Sequence, residues 1–147
     1  MDYWPWDPSL DVGIEAIDIQ HRRIVDNINR LHMAQIMSDR DKVREVLVDL
    51  IDYTKTHFTF EEELMAKSGY PQLDSHKELH KAFIVRIKKR AKDHIDGQDV
   101  TRDLASDLKA WLLNHIKKDD KEYAPLVLKS LDKNNSWIGR TVKSLFD

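Results

Sequence analysis

Four stretches of the chain carry apolar residues at steps of three and four, and each apolar row continues into histidine or carboxylate side chains. Steps of this size place side chains on one face of an α-helix, so the rows predict four amphipathic helices. The polar members of the rows are His21, His57 with Glu61, His76 with His80, and His115 with Asp119 or Asp120. We therefore expect these helices to bury a cluster of metal-ligand-type groups between them.

The expected buried faces can be written out residue by residue. The first contains His21, Ile24, Val25, Ile28, Leu31 and Ile36. The second contains Val43, Val46, Leu47, Leu50, Thr54, His57, Glu61 and Leu64. The third contains His76, Leu79, His80, Phe83, Ile87 and Ala91, and the fourth Leu104, Leu108, Trp111, Leu112, His115 and Ile116.

Capping and helix-breaking residues predict where the helices begin and end. Asp18 is expected to cap the first helix, and Ser38 to Asp41 form the turn into the second. Gly69 and Pro71 end the second helix, and the third begins near Pro71 or Asp74. Gly97 closes the third, Asp99 or Thr101 caps the fourth, and Pro125 marks the end of the fourth or a break just before it.

Short connections between four helices favour an all-α, up-down-up-down antiparallel four-helix bundle. The 147 residues fit a single domain, divided into an N-terminal arm (1–17), the bundle (18–124) and a C-terminal extension (125–147). The aromatic residues of the arm, Tyr3, Trp4 and Trp6, are expected to pack against the bundle. The tail from about Leu126 to Asp147 is expected to pack on the bundle or to serve as a docking segment, and within it Ser136 could cap a short helix through Phe146.

Composition excludes several classes of function. The 24 basic and 26 acidic residues are scattered and nearly balanced, which argues against nucleic-acid binding. The chain has no cysteine, so disulfides, iron–sulfur clusters and thiol chemistry are excluded. No apolar run approaches a membrane span, and the first residues lack the pattern of a signal peptide. A monomeric cytoplasmic protein is expected.

The buried histidines favour a metal site. Residues four apart, such as His57 and Glu61 or His76 and His80, lie one above the other on a helix face. Burying so many polar groups is costly unless something pairs with all of them, and a metal does so. Five imidazoles with at least two carboxylates exceed the needs of one tetrahedral ion, which indicates two metals. Imidazole with carboxylate suits iron, among other metals.

Several polar residues near the rows are not expected to be ligands. His32 and His94 have no partner at ligand spacing and are interpreted as structural or surface residues. Glu62 and Glu63 are interpreted as solvated. The acid after His115 is open, because an ideal helix puts Asp119 on the same face and Asp120 about 140° away.

The pattern resembles that of the hemerythrin family and its bacterial branch. The residues that carry the resemblance are His21, His57-x-x-x-Glu61, His76-x-x-x-His80 and His115-x-x-x-x-Asp120. Further similarity lies in Val12-Gly13-Ile14, Ile17-Asp18-x-Gln20-His21, Trp111-Leu112-Leu113-x-His115-Ile116 and Tyr123. The resemblance runs from about residue 4 to residue 123.

The resemblance implies a non-haem di-iron centre. His76, His80 and His115 would bind one iron, His21 and His57 the other, and Glu61 and Asp120 would bridge both beside an oxo or hydroxo group. These ligands fill all but one of the about 12 positions of two octahedral irons. The open position lies on the iron of His21 and His57, where O₂ would bind. The family spacing selects Asp120, which requires the fourth helix to be distorted or to end there.

The implied function is reversible O₂ binding, with the irons cycling between Fe²⁺ and Fe³⁺. Apolar residues within four positions of a ligand histidine are expected to line a dry O₂ pocket: Ile24, Phe58, Trp111, Leu112 and Ile116. We expect an oxygen storage or delivery protein, not an enzyme, with an oxygen-consuming protein as its possible recipient. The alternatives are an O₂ or redox sensor module and a di-iron peroxidase or iron-handling protein.

Overall fold

A computed structural model describes residues 3–97 and 101–131, leaving aside the side chains of 101–103 and 131. The main helices are α1 (Glu15–Ile36), α2 (Arg40–Lys67), α3 (Leu73–Ile95) and α4 (Thr101–Asn114). A π-helical segment, His115–Asp120, joins α4 to α5 (Lys121–Leu131), and a short 3₁₀ helix, Pro8–Leu10, precedes α1. No helix in the described part of the chain is long and apolar enough to cross a membrane.

The helices form a bundle in which α1 packs against α2 and α4, and α2 packs against α3. The connection between α1 and α2, and that between α2 and α3, are only a few residues long, so each of these neighbouring pairs is antiparallel. Their apolar faces meet in one continuous core. The predicted all-α four-helix bundle is confirmed.

Two of the predicted helix boundaries are confirmed in their chemical detail. Asp39 is the N-cap of α2, and its side chain accepts a hydrogen bond from the Lys42 N–H at 3.0 Å. Gly69 follows the end of α2 with φ +71°, the left-handed conformation that glycine adopts without strain.

The predicted start of α1 at Asp18 is wrong. The helix begins at Glu15, and the Asp18 carboxylate accepts hydrogen bonds from the N–H groups of Val12 (2.7 Å) and Gly13 (3.2 Å). Asp18 thus holds the incoming loop against the first turn of α1. The carboxylate accepts backbone N–H groups, as expected of a capping residue, but these groups belong to the loop before the helix.

Two residues assigned to the buried faces are exposed. Ile36 is 62% exposed because it is the last residue of α1, where the chain turns away towards α2. Leu79 is 42% exposed because the buried row of α3 runs through His76, His80 and Phe83, which leaves Leu79 to one side. A three-residue step alone did not distinguish the centre of a helix face from its edge.

Of the two interpretations of Pro125, the end of the fourth helix is wrong, because Pro125 lies inside α5, whereas a break before it is present as the π-helical segment. A proline lacks the N–H that would bond back one turn, and it usually kinks or breaks a helix. Here the regular helix is already interrupted just upstream, since the π-helical segment ends at Asp120. The other C-terminal predictions, with Ser136 and Phe146, and the cap at Asp99 lie outside the described residues.

The N-terminal arm packs against the bundle as expected. Trp4 is buried, and its backbone N–H and carbonyl both bond to the Asn29 side chain, at 2.7 and 3.0 Å. The Tyr3 ring stacks on His32 with 3.9 Å between centroids. These contacts hold the arm against α1.

Candidate metal centre

All the side chains singled out by the sequence pattern meet in the middle of the bundle, and none is more than 4% exposed. Helix α1 supplies one of them, α2 and α3 supply two each, and the π-helical segment supplies the last two. In chain order they are His21, His57, Glu61, His76, His80, His115 and Asp120. The bundle therefore concentrates five imidazoles and two carboxylates in one buried volume.

The cluster divides into two groups, within each of which the potential ligand atoms lie no more than 4.8 Å apart. The larger group contains Glu61, His76, His80, His115 and Asp120. The smaller group contains His21, His57 and again Glu61. Because Glu61 belongs to both, the geometry suits two adjacent cations better than one.

The Asp120 carboxylate also lies between the groups, with one oxygen turned to each. Its Oδ2 atom is 3.0 Å from Nε2 of His21. Its Oδ1 atom is 3.1 Å from Nε2 of His115 and 3.3 Å from Nε2 of His76. Glu61 spans the groups less evenly, because its Oε1 lies 2.6 Å from Nε2 of His57 and 3.8 Å from that of His80.

The π-helical segment explains why Asp120, and not Asp119, lies inside. The N–H of Lys121 bonds to the carbonyl of Ile116, five residues back, and this wider turn brings His115 and Asp120 onto the same face. Asp119 instead accepts a hydrogen bond from Nδ1 of His115 at 3.0 Å, on the side of the ring away from the cluster. The helix is thus distorted where the family spacing requires it.

Most of the ligand-type atoms are left without hydrogen bonds, although Nε2 of His80 and Nε2 of His115 lie 3.1 Å apart and can share one. Nε2 of His21, His57 and His76 has no hydrogen-bond partner among the described residues, although carboxylate oxygens lie close by. The same is true of Oε1 of Glu61 and of both oxygens of Asp120. Leaving this many buried polar atoms unpaired would cost several kcal/mol. A pair of cations would satisfy all of them, so the residues present fit a metal centre.

Three histidines have their outer nitrogen fixed by a hydrogen bond. Nδ1 of His57 donates to Gln20 at 2.6 Å, Nδ1 of His80 to Glu62 at 2.9 Å, and Nδ1 of His115 to Asp119 as described. A proton held on Nδ1 leaves the lone pair of Nε2 directed into the cluster, which is the tautomer that binds a metal. Glu62 is therefore not simply a solvated residue, as the sequence suggested, but a partner of a cluster histidine.

Tyr123 adds a contact that the sequence pattern did not predict. It comes from α5, is fully buried, and donates its hydroxyl hydrogen to Oε2 of Glu61 at 2.5 Å. Burial and the neighbouring carboxylates of Glu61 and Asp120 raise the pKa of this phenol well above its ordinary value. The hydroxyl therefore keeps its proton and holds the Glu61 carboxylate in place.

The charges in the cluster suit a cation. Burial opposes ionisation of Asp120, but His115, His21 and His76 outweigh it and hold the pKa of this carboxyl well below its usual range. Burial lowers the pKa of His80 to about 3, despite the nearby Glu61. Burial acts in the same direction on His115, but the carboxylates of Asp120, Asp119 and Glu61 outweigh it and raise the pKa to about 10. The carboxylates around His115 thus favour positive charge at the place where a metal would supply it.

Two of the residues expected to line a pocket, Phe58 and Trp111, contact cluster histidines directly. The Phe58 ring stacks on His80 with centroids 3.7 Å apart, and the Trp111 ring stacks on His115 at 4.6 Å. Both rings therefore flank the larger group. The aliphatic members Ile24, Leu112 and Ile116 are buried in the core.

His32 and His94, which the sequence did not predict to be ligands, lie outside the cluster. His94 is buried at the far end of α3, where its Nε2 donates to the Arg40 carbonyl at 3.0 Å and its own carbonyl accepts from Arg40 at 2.7 Å. His32 stacks on Tyr3 of the arm. Neither belongs to the groups of potential ligands.

Fold and site together define a class: helical bundles that hold a metal in a buried cluster of histidine and carboxylate. Comparison with known families makes the class specific, because residues 12–127 match the model of the hemerythrin HHE cation binding domain. The chain belongs to the hemerythrin family.

The chain is similar to its relatives over most of their length. It is 42% identical to a bacteriohemerythrin of Stenotrophomonas maltophilia, with 96% of each chain covered, and 40% identical to one of Pseudomonas aeruginosa, with 99% of each covered. It is also 32% identical to the myohemerythrin of Theromyzon tessulatum over 82% of this chain and 90% of that one. The crystal structure of a wild-type hemerythrin matches with a TM-score of 0.80 at 31% identity, covering 85% of this chain and 98% of that one.

Proposed function

We propose that this protein binds O₂ reversibly at a non-haem di-iron centre and serves in oxygen storage or delivery. Membership of the hemerythrin family supports the general class of function. The division of the cluster into two groups that share a carboxylate supports a site for two metals.

We assign His76, His80 and His115 to one iron and His21 and His57 to the other, with Glu61 and Asp120 bridging. The observation that carries this assignment is the position of Asp120. One of its oxygens faces His21 and the other faces His76 and His115, at 3.0 to 3.3 Å. This is the arrangement of a carboxylate that bridges two metals through both of its oxygens.

The unequal number of histidines gives the centre its function. His21 and His57 would hold one iron with fewer protein ligands than the iron of His76, His80 and His115, which would leave room there for an external ligand. Ferrous irons held by these residues would supply the electrons that O₂ takes up on binding and returns on release. The buried aliphatic side chains of Ile24, Leu112 and Ile116 would exclude water from this region.

The contacts of Tyr123 favour carriage over cleavage of O₂. An enzyme that breaks the O–O bond needs an acid that can deliver a proton. The hydroxyl of Tyr123 is committed to Glu61, and the pKa of this phenol is raised well above its ordinary value. Tyr123 therefore positions a bridging carboxylate and is a poor proton donor.

The proposal is tested by loading the protein with Fe²⁺ and following its visible spectrum through repeated cycles of air and deoxygenation. A carrier holds two irons per chain and shows a colour that appears and disappears over many cycles. Irreversible oxidation in one turnover, with consumption of added peroxide, would identify a peroxidase instead.

A further inference from the structure

The outer hydrogen-bond partners of the cluster histidines are not of one kind. In the larger group, His80 and His115 donate their outer N–H to the carboxylates of Glu62 and Asp119, at 2.9 and 3.0 Å. In the smaller group, His57 donates to the neutral amide oxygen of Gln20 at 2.6 Å. The outer nitrogen of His21 has no hydrogen-bond partner among the described residues.

The charge of the outer partner affects the metal bond. A carboxylate that accepts the outer N–H of an imidazole draws the proton towards itself and makes the inner nitrogen a stronger donor to a metal. A neutral amide orients the ring in the same way but adds less negative charge. A ring without a partner gains neither effect.

We propose that these outer partners make the two metal sites unequal, so that the site of His76, His80 and His115 holds its metal tightly and the site of His21 and His57 is labile. The inference rests on the ligand assignment proposed above. It adds residues that bind no metal themselves: Glu62 and Asp119 strengthen one site, whereas Gln20 leaves the other weaker.

The two proposed sites differ in their number of protein ligands in the same order as in the charge of their outer partners. The site with the full set of protein ligands also has the anionic partners, so its metal is anchored. The site with an open position keeps a metal with less electron donation from its ligands, and such a metal accepts an external ligand more readily. Gln20 is thus a positioning residue that orients His57 without raising its basicity to the level of His80.

The experiment measures release of Fe²⁺ under anaerobic conditions by a chromogenic chelator in excess, with no O₂ present. Wild-type protein should release its iron in two phases. Gln20→Glu, which supplies a carboxylate of the same length, should slow only the fast phase, by between about 10- and 100-fold. Glu62→Gln, the reverse exchange, should accelerate only the slow phase by a similar factor.

Glu63→Gln is the matched control, because it makes the same chemical change at Glu63, the exposed neighbour of Glu62. It should alter neither phase. Circular dichroism checks that each variant is folded. A purely structural role for these residues would not slow one phase of iron release in one variant and accelerate the other phase in the other variant.

The inference is overturned if wild-type protein releases both irons in one phase, or if Gln20→Glu and Glu62→Gln affect both phases alike. Because no O₂ is used, a protein that fails to bind O₂ reversibly can still pass this test. Conversely, a wild-type protein that takes up fewer than two irons refutes the proposed centre before the phases are compared.

Discussion

His115 and Asp120 are five residues apart, yet Nε2 of the first and Oδ1 of the second lie 3.1 Å apart in the core. On a regular α-helix Asp120 would point away from the face of His115. The π-helical segment between them removes the conflict and also turns Asp119 to the outer nitrogen of the same ring. Two adjacent acids thus take different positions around one histidine because of a local change in helical pitch.

This arrangement predicts that the two aspartates differ in their effect on metal binding. Asp120→Asn removes a charge from between the two groups and should reduce the iron content from two per chain to one or fewer. Asp119→Asn removes only the negative charge of an outer hydrogen-bond partner, so both irons should remain at saturating iron, with an affinity lowered by between about 10- and 100-fold. Iron analysis after equilibrium dialysis distinguishes the two results. Loss of iron from Asp119→Asn, with both irons kept by Asp120→Asn, would instead assign the inner position to Asp119.

His57→Ala should retain one iron and abolish O₂ binding, because it removes one of the two histidines of the site with the open position. His32→Ala makes the same chemical change outside the cluster, where His32 stacks on Tyr3, and should keep both irons. The measurement is iron content together with the visible spectrum in air. Normal O₂ binding by His57→Ala would refute the assignment of that histidine.

Much of this architecture could be predicted because the cluster residues share rows with apolar ones. The helical period places His57 beside Glu61 whichever helices pack against α2. What the sequence left open depends on contacts between elements. Glu62 could not be matched with His80 without knowing how α2 packs on α3, and the hydroxyl of Tyr123 meets Glu61 only because α5 continues past the π-helical segment.

Helix ends show a second limit. Asp18 has the chemistry of an N-cap, and its carboxylate does accept backbone N–H groups, but those of Val12 and Gly13 in the preceding loop. Local propensity identified the type of hydrogen bond and not its partner. The family spacing selected Asp120 where helix geometry favoured Asp119, and the distortion that it required is present as the π-helical segment.

Tyr123→Phe should lower the stability of the iron-loaded protein by about 1–3 kcal/mol, because Oε2 of buried Glu61 loses its hydrogen-bond donor. The iron content should not change, since Tyr123 is not among the potential ligands. Chemical denaturation of the two proteins at equal iron loading measures the difference. Tyr3→Phe, which keeps the ring that stacks on His32, is the control, and an equal loss there would show that the Glu61 contact is not the cause.

Removal of the metals should lower the melting temperature while the protein remains helical. Ligands that bind only the folded state stabilise it in proportion to the logarithm of their concentration over the dissociation constant, about 4 kcal/mol at a thousandfold excess. The unpaired atoms of His21 and Asp120 add to the cost in the metal-free state. Calorimetry before and after chelation, and again after iron is restored, gives the change. Identical melting temperatures would contradict a metal centre in this cluster.

The central proposal is tested most directly by the amount of O₂ that the ferrous protein takes up and gives back. Anaerobic protein with two Fe²⁺ per chain is titrated with O₂ and then purged with inert gas while the released O₂ is measured. We expect one O₂ to bind per pair of irons and to be recovered as O₂ on purging. Consumption of O₂ without recovery, leaving both irons ferric, would contradict it.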